Sequence, residues 1–298
     1  MRRVPTKTTL AVVGLLAFLN GCGSSSAGDP SIFDGPGPVV VGVANDAPGF
    51  SVGDHNPAGF DIDLMNAIGR GLHKPVTTHL IASKDRDPAL KNNQVTIVVD
   101  QYSITLARNA AGIDFAGPYM VSTQALLLRR DDRRITTKGD AKGKSVCAEE
   151  DTTGASAHLP GALFTKLPTL KECVDALLRK NADAVLTDTL LLYGYVATDP
   201  ERLKVVLPGD VGQTQYYGIG LLGGHRQDCR KLNQIIRDYL RTQWRRDFQD
   251  TLPVAVKAFP GSDPGDGDFE SEFKPLDTDM TRLSCKLAKP VTEQPPLS

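Results

Sequence analysis

Residues 39–44 read Val-Val-Val-Gly-Val-Ala, a short apolar run rich in β-branched side chains. Such a run predicts a strand that is buried on both faces, as strands of parallel sheets are. Apolar side chains then recur every four residues from Phe60 to Leu72, which predicts an amphipathic helix. Residues 95–99, Val-Thr-Ile-Val-Val, predict the next buried strand. This alternation of strands and helices predicts an α/β fold with a mostly parallel sheet.

The same pattern returns further along the chain. Residues 145–148 predict a strand, and Thr169-Leu170-Lys171-Glu172 has the spacing of a capping box at the start of a helix. Residues 184–187 predict another strand, which carries Asp188 at its carboxyl end. Each α/β unit is too small to be the whole protein. Two units that face each other would form a cleft at the carboxyl ends of their strands, where ligands of α/β proteins bind.

The N-terminal residues indicate export. A positively charged start precedes an apolar run at residues 10–19, which is too short to span a bilayer but has the length of a signal-peptide core. Residues 19–22, Leu-Asn-Gly-Cys, resemble the bacterial lipobox, in which the chain is cut before the cysteine and then lipidated. We expect a lipoprotein signal peptide at 1–21, a lipid on Cys22 and a flexible tether at 22–37. A plain secretory signal with an incidental cysteine is the alternative.

Four further cysteines lie in the exported part of the chain. An oxidising environment and an even count predict two disulfides, for which three pairings are possible. We favour the pairing of sequence neighbours, Cys147 with Cys173 and Cys229 with Cys285. A zinc site is disfavoured, because there is no Cys-x-x-Cys and no histidine at ligand spacing. We expect no metal and no cofactor.

The composition argues against several classes of protein. The chain has 298 residues, of which 40% are hydrophobic and 23% charged, and these are values of globular proteins. A net charge of -1 and an aromatic content of 6% argue against a nucleic-acid partner. Residues 218–223 match the dinucleotide-binding pattern G-x-G-x-x-G, but no helix opens within them, so they predict a strand. Because no catalytic motif is present, we predict that the protein is not an enzyme.

Polar side chains follow three of the predicted strands at their carboxyl ends. Their hydroxyls and the neighbouring backbone N–H groups could bind an anion. The guanidinium of Arg108 suits a carboxylate, and the carboxylate of Asp188 suits an ammonium group, so the set is complementary to a zwitterion. An ordinary Arg–Asp ion pair with hydroxyl caps is the alternative. The residues are Ser103, Thr105, Arg108, Thr152, Thr153 and Asp188.

A series of motifs in one order carries a resemblance to a known family. They are Asp46-x-Pro48-Gly49-Phe50, Gly59-Phe60-Asp61-Ile62-Asp63-Leu64, Tyr102-Ser103-Ile104-Thr105 with Arg108, Asp114-Phe115-Ala116-Gly117-Pro118-Tyr119, Gln124, Gly143-Lys144-Ser145-Val146-Cys147, Thr152-Thr153, Cys173, Asp183-Ala184-Val185-x-Thr187-Asp188 and Tyr217-Gly218-Ile219-Gly220. Over roughly residues 39–252 the chain resembles bacterial solute-binding proteins for polar amino acids, which serve ABC importers. It is most similar to the actinobacterial glutamate/glutamine-binding lipoproteins.

The resemblance implies a two-lobe periplasmic-binding-protein-like fold of type II. Each lobe would be a central, mostly parallel sheet flanked by helices, and two hinge strands would join the lobes. Lobe 1 would comprise residues 38–124 and 216–252, and lobe 2 residues 125–215. Residues 253–298, rich in Pro, Gly and Asp near their start, would form an irregular C-terminal tail.

The resemblance also implies roles for individual residues. Arg108 would bind the α-carboxylate of the ligand, Asp188 its α-ammonium group, and Phe50 would pack on its aliphatic part. The family pairs the cysteines of its second lobe, which supports Cys147–Cys173. The other expected ligand-binding residues are Gln101, Ser103, Thr105, Thr152 and Thr153.

The implied function is that of a substrate-binding lipoprotein of an ABC amino acid importer. The protein would capture a polar L-amino acid of the glutamate/glutamine class by lobe closure and deliver it to a membrane permease. It would work as a monomer anchored to the outer face of the cell membrane. The alternatives are an extracellular amino-acid sensor subunit for a membrane signalling protein, or a catalytically adapted relative of the same fold.

Three positions depart from the family pattern. Many relatives have an aromatic residue where this chain has Ala47, and a glycine where it has Asp151. Asp100 places an additional carboxylate beside the expected site. These residues leave the ligand side chain open between acidic, amide and basic groups, although an amide or a basic group would better tolerate Asp100.

Overall fold

The computed structural model describes residues 30–261 and 268–287, together with Met1. Within these residues, ten strands and ten α-helices follow one another along the chain. The strands are β1 (Val39–Val43), β2 (Asp46–Ala47), β3 (Ser51–Val52), β4 (Val76–Leu80), β5 (Ile97–Val98), β6 (Ile113–Arg129), β7 (Ser145–Glu149), β8 (Leu163–Leu167), β9 (Ala184–Asp188) and β10 (Leu203–Leu222). The helices are α1 (Phe60–Leu72), α2 (Arg86–Lys91), α3 (Leu106–Ala110), α4 (Leu170–Leu178), α5 (Thr189–Thr198), α6 (Arg226–Thr242), α7 (Trp244–Thr251), α8 (Pro253–Ala258), α9 (Phe269–Phe273) and α10 (Asp277–Leu283).

Eight strands form one sheet in the order β4-β1-β5-β10-β6-β9-β7-β8, and β2 pairs with β3 in a separate hairpin. In the first lobe, β4, β1 and β5 are parallel, and in the second lobe β9, β7 and β8 are parallel. The long strands β6 and β10 are antiparallel to each other and run through both lobes. The predicted fold of two mostly parallel lobes joined by two strands is therefore confirmed.

A cluster of aromatic side chains holds the helices of the first lobe to the sheet. Phe60, at the start of α1, is fully buried, and its ring centroid lies 5.8 Å from Tyr239 of α6 and 6.1 Å from Trp244 of α7. Trp244 also donates a hydrogen bond of 2.9 Å from its indole nitrogen to the carbonyl of Tyr119 in β6. Each aromatic pair contributes about 0.5–1.5 kcal/mol beyond the area that it buries. The cluster fixes the position of α1 relative to the long strand β6.

The second lobe has the helix start that the sequence predicts. The Thr169 hydroxyl accepts a hydrogen bond of 3.2 Å from the backbone N–H of Glu172, and the Glu172 carboxylate accepts one of 3.1 Å from the N–H of Thr169. This reciprocal capping box satisfies two backbone donors at the start of α4. Behind it, Cys173 forms a disulfide with Cys147 of β7, across a Cα–Cα distance of 5.4 Å.

The C-terminal segment is more ordered than its composition predicts. The sequence predicts an irregular tail from residue 253, but the described residues include α8, α9 and α10. Phe269, Phe273 and Met280 are buried in the core, which gives this segment apolar anchors despite its Pro, Gly and Asp residues. Cys285 forms the second expected disulfide with Cys229 of α6, across a Cα–Cα distance of 5.7 Å. This segment therefore packs on β6 of the first lobe through α9 and α10, and α8 also packs on α5.

Residues 218–223 lie mostly in β10, as the analysis of the glycine pattern predicts. A Cβ atom on Gly220 would lie 2.6 Å from Cε1 of Tyr102. A side chain there would therefore displace the Tyr102 ring, which is fully buried and stacks edge-on against Phe115 at 4.9 Å. The absence of a side chain at Gly220 thus allows the Tyr102 ring to pack directly on the sheet.

Candidate functional site

A cavity of about 230 Å³ lies between the lobes, at the carboxyl ends of β5, β7 and β9. Both lobes contribute to its wall, as expected for ligand sites of α/β folds. Arg108 of the first lobe and Asp188 of the second lobe line this same cavity. Of the eight residues predicted to bind the ligand, six line it: Gln101, Ser103, Arg108, Thr152, Thr153 and Asp188.

A wider cleft of about 1040 Å³ adjoins the cavity, and Arg108, Thr152 and Thr153 border both. Thr105 lines this cleft and not the cavity, because its hydroxyl caps α3 by accepting a hydrogen bond from the N–H of Arg108 at 3.2 Å. Asp151 also faces the cleft, and its backbone is left-handed, with φ 56°. Glycine adopts that conformation most readily, and Asp151 adopts it here. The Asp151 carboxylate therefore borders the cleft and not the cavity.

The Arg108 side chain is fixed from two sides. Its guanidinium lies over the ring of Tyr102, with Cζ 4.5 Å from the ring centroid, and its Nη1 donates a hydrogen bond of 2.6 Å to the carbonyl of Ser103. Burial, and then the nearby charge of Arg86, lower the pKa of Arg108 to about 10. The group therefore stays cationic at neutral pH, with other N–H donors left to bind an anion.

The Asp188 carboxylate is held by two donors at the end of β9. The Tyr217 hydroxyl donates to one oxygen at 2.7 Å, and Nε2 of Gln124 donates to the other at 3.3 Å. Burial raises the pKa of Asp188 to about 6, although these hydrogen bonds oppose the rise. The carboxylate is therefore mostly ionised at neutral pH and is oriented to accept hydrogen bonds from a cation in the cavity.

The paired threonines differ in their roles. The Thr152 hydroxyl donates to the carbonyl of Glu149 at 2.7 Å and accepts from the N–H of Ala155 at 3.2 Å, so it shapes the turn after β7. The Thr153 hydroxyl accepts a bond of 3.3 Å from Gln124 and keeps its own proton to donate. Thr153 is thus the better placed of the two to add a donor near Arg108.

Phe50 lies away from the cavity, whereas Gln101 lines it but has its side chain bonded to α1. Phe50 is fully buried and does not line the cavity, because its ring packs edge-on between Phe60 at 6.3 Å and Tyr217 at 6.1 Å. Ala47 lines the cavity on that side instead. Gln101 does line the cavity, but its side-chain N–H donates to the buried Asp61. It therefore supports the wall of the site through α1.

Three charged residues of the cavity were not predicted from the sequence: Asp46, Arg86 and Glu149. Arg86 is only 5% exposed, and its guanidinium donates to the carbonyls of Ser83 at 3.0 Å and Asp100 at 3.1 Å. In the sequence it lies among charged residues of a short helix, a pattern typical of solvated surfaces. Only the fold shows that this helix begins beneath the cavity.

The part of the chain that the structure describes has no helix long and apolar enough to cross a bilayer. In the same residues, no three His, Cys, Asp or Glu side chains come together as a metal site would require. Cys22, the predicted lipidation site, lies outside the described residues.

Comparison with known proteins assigns most of the chain to one family. Residues 39–250 match the family model for bacterial extracellular solute-binding proteins, family 3. The glutamate-binding protein GluB of Corynebacterium glutamicum is 30% identical over 281 residues, which cover 87% of this chain and 95% of that protein. GluB of Corynebacterium efficiens is 29% identical over 288 residues, which cover 91% and 97%.

Among solved structures, an ancestral arginine-binding protein bound to glutamine superposes with a TM-score of 0.66 at 26% identity. The match covers 72% of this chain and 97% of that one. Three observations point to the same family. They are the shared fold, the cavity between two lobes and the family match over residues 39–250. The chain is an amino acid solute-binding protein related to glutamate- and glutamine-binding proteins, and it belongs to the bacterial extracellular solute-binding proteins, family 3.

Proposed function

We propose that this protein captures a free polar L-amino acid of the glutamate/glutamine class and delivers it to the permease of an ABC importer. The observation that carries the proposal is that Arg108 and Asp188 reach one cavity from opposite lobes. The Arg108 guanidinium binds the α-carboxylate, with the Thr153 hydroxyl as a further donor. Asp188 binds the α-ammonium group, as the charges of a zwitterion require. The names of the relatives, glutamate- and glutamine-binding proteins, support this ligand class.

Capture follows from the distribution of these groups over two lobes. A ligand that contacts Arg108 alone or Asp188 alone gains only half of the available interactions. Closure about β6 and β10 lets it contact both, so ligand binding favours the closed arrangement. A permease can then distinguish the ligand-bound protein from the empty one, because only the ligand-bound protein is mainly closed.

Ligand binding should be measurable directly as thermal stabilisation. A ligand at a hundredfold excess over its Kd stabilises the folded protein by about 2.7 kcal/mol, because it binds the folded state only. For a chain of this size such a gain raises Tm by roughly 5–10 °C. We expect this rise with at least one polar L-amino acid in a differential scanning fluorimetry panel, and no rise with its D-enantiomer. No shift with any amino acid would contradict the proposal.

We further propose that the mature protein is a monomer held on the outer face of the cell membrane by lipid on Cys22. The lipobox-like sequence and the export signal support this, and buried acyl chains contribute about 0.8 kcal/mol per methylene to anchoring. Cells fed radiolabelled palmitate should label the wild-type protein but not Cys22→Ala. The Cys22→Ala protein should appear in the soluble fraction; persistent labelling or membrane retention of this variant would exclude Cys22 as the anchor.

A further inference from the structure

The cavity contains a buried carboxylate oxygen that has an ion-pair partner but no hydrogen-bond donor. The Asp100 side chain follows β5, is 2% exposed and lines the cavity, and its Oδ2 has no hydrogen-bond partner. Nε of Arg86 lies 3.4 Å away but donates to the carbonyl of Ser83 instead. A buried acceptor that lacks a donor costs free energy, so folded proteins keep very few of them. An oxygen of this kind in the wall of a ligand cavity is placed to accept a hydrogen bond from the ligand.

The acidic and basic groups around this oxygen are unbalanced in number, and the excess becomes a negative charge as Glu149 and Asp100 ionise, with pKa values of about 7 and about 8. Four carboxylates line the cavity, those of Asp46, Asp100, Glu149 and Asp188, against the two guanidinium groups of Arg86 and Arg108. In the proposed function, Asp188 and Arg108 bind the two charges of the zwitterion. Arg86 is then the one remaining cation among the described residues of the cavity lining, against the carboxylates of Asp46, Asp100 and Glu149. A ligand carboxylate placed among them would add to the repulsion, whereas an N–H group would reduce it.

The titration behaviour of the cavity is consistent with this excess. Burial raises the pKa of Asp100 to about 8, although Arg86 opposes the rise and the charges of Asp61, Glu149 and Asp46 add to it. Burial likewise raises the pKa of Glu149 to about 7. An N–H donor bound beside these groups would favour their ionised forms.

We propose that this end of the cavity binds the side chain of the ligand, and that Asp100 accepts a hydrogen bond from an N–H group there. The ligand side chain is then an amide or a guanidinium, and a second carboxylate is rejected. This inference rests on the proposed function and narrows its ligand class. Amides and guanidinium groups share the required donor, and separate titrations distinguish them.

Glutamine and glutamate provide the decisive comparison, because they differ only in the terminal amide and carboxylate. Isothermal titration of the purified protein at about pH 8.5 keeps Asp100 mostly ionised, because its pKa is about 8. We expect glutamine or arginine to bind at least about tenfold more tightly than glutamate, because a site built around a hydrogen bond rejects an analogue that lacks the donor. Glutamate binding as tightly as both of the others would overturn the inference while leaving the proposed function intact. Failure of every amino acid to bind would instead overturn the proposed function itself.

Asp100→Asn tests the residue, because it preserves size and removes the charge. We expect the preference for the N–H ligand over glutamate to fall at least about tenfold. Asp131→Asn is the matched control, since Asp131 is exposed in the turn after β6, and it should keep the wild-type preference. An unchanged preference in a folded Asp100→Asn protein would remove Asp100 from this role, and the wild-type titrations test the ligand class independently of the variant.

Discussion

Arg108→Ala is expected to abolish measurable binding of the amino acid that stabilises the wild-type protein. Truncation of one member of a buried, hydrogen-bonded charge pair costs about 2–5 kcal/mol, which corresponds to a loss of roughly 30-fold to several thousand-fold in affinity. The upper part of that range is expected here, because in the proposed function the lobes would enclose the α-carboxylate, and Arg86 is already bonded to backbone carbonyls. Isothermal titration calorimetry measures the loss.

Two further variants separate the role of Arg108 from a general loss of charge. Arg130→Ala removes an exposed guanidinium just beyond β6 and should leave affinity unchanged. Arg108→Lys keeps the charge but not the planar fork, so it should bind with intermediate affinity. Retention of wild-type affinity by Arg108→Ala would show that the α-carboxylate binds elsewhere.

Loss of the Cys229–Cys285 disulfide is expected to have the largest effect on stability. The paired cysteines are 56 residues apart in the sequence, and closing a loop of that length stabilises the folded chain by about 4 kcal/mol on the chain-entropy account. The bond also fixes the segment after α10, where the N–H of Cys285 donates to the carbonyl of Phe115 in β6 at 2.9 Å. Urea denaturation of the Cys229→Ser, Cys285→Ser double variant measures the free energy of unfolding.

The other disulfide is the internal control for this experiment. Cys147 and Cys173 are 26 residues apart, so their removal should cost less, about 3.5 kcal/mol. Equal stability of the wild-type protein and the Cys229→Ser, Cys285→Ser variant would mean that the packing of α9 and α10 alone holds the C-terminal segment.

The sequence predicted those elements whose signals are local. The capping box of Thr169 and Glu172 and the apolar stripe of α1 each occupy a few neighbouring residues, and both are present in the structure. Arg108 and Asp188 could be predicted as a pair because each follows a buried strand at its carboxyl end. In each lobe the carboxyl ends of the parallel strands face the cleft between the lobes, so the two residues meet there.

The residues that the sequence did not identify depend on distant contacts. Phe50 is an apolar residue beside a Gly and a Pro, and only the rings of Phe60 and Tyr217 show that it belongs to the core. Arg86 owes its burial to the carbonyl of Asp100, which lies 14 residues further along the chain. Likewise, the helices after residue 252 depend on packing against β6 and α5 and not on their own composition.

Each disulfide lies within one lobe. Cys147–Cys173 joins β7 to α4 in the second lobe, and Cys229–Cys285 joins α6 to the C-terminal segment of the first. Neither disulfide joins the two lobes. Disulfide formation therefore stabilises each lobe without restraining the rotation of one lobe relative to the other. Two lobes that are cross-linked separately can resist denaturation and still rotate about β6 and β10.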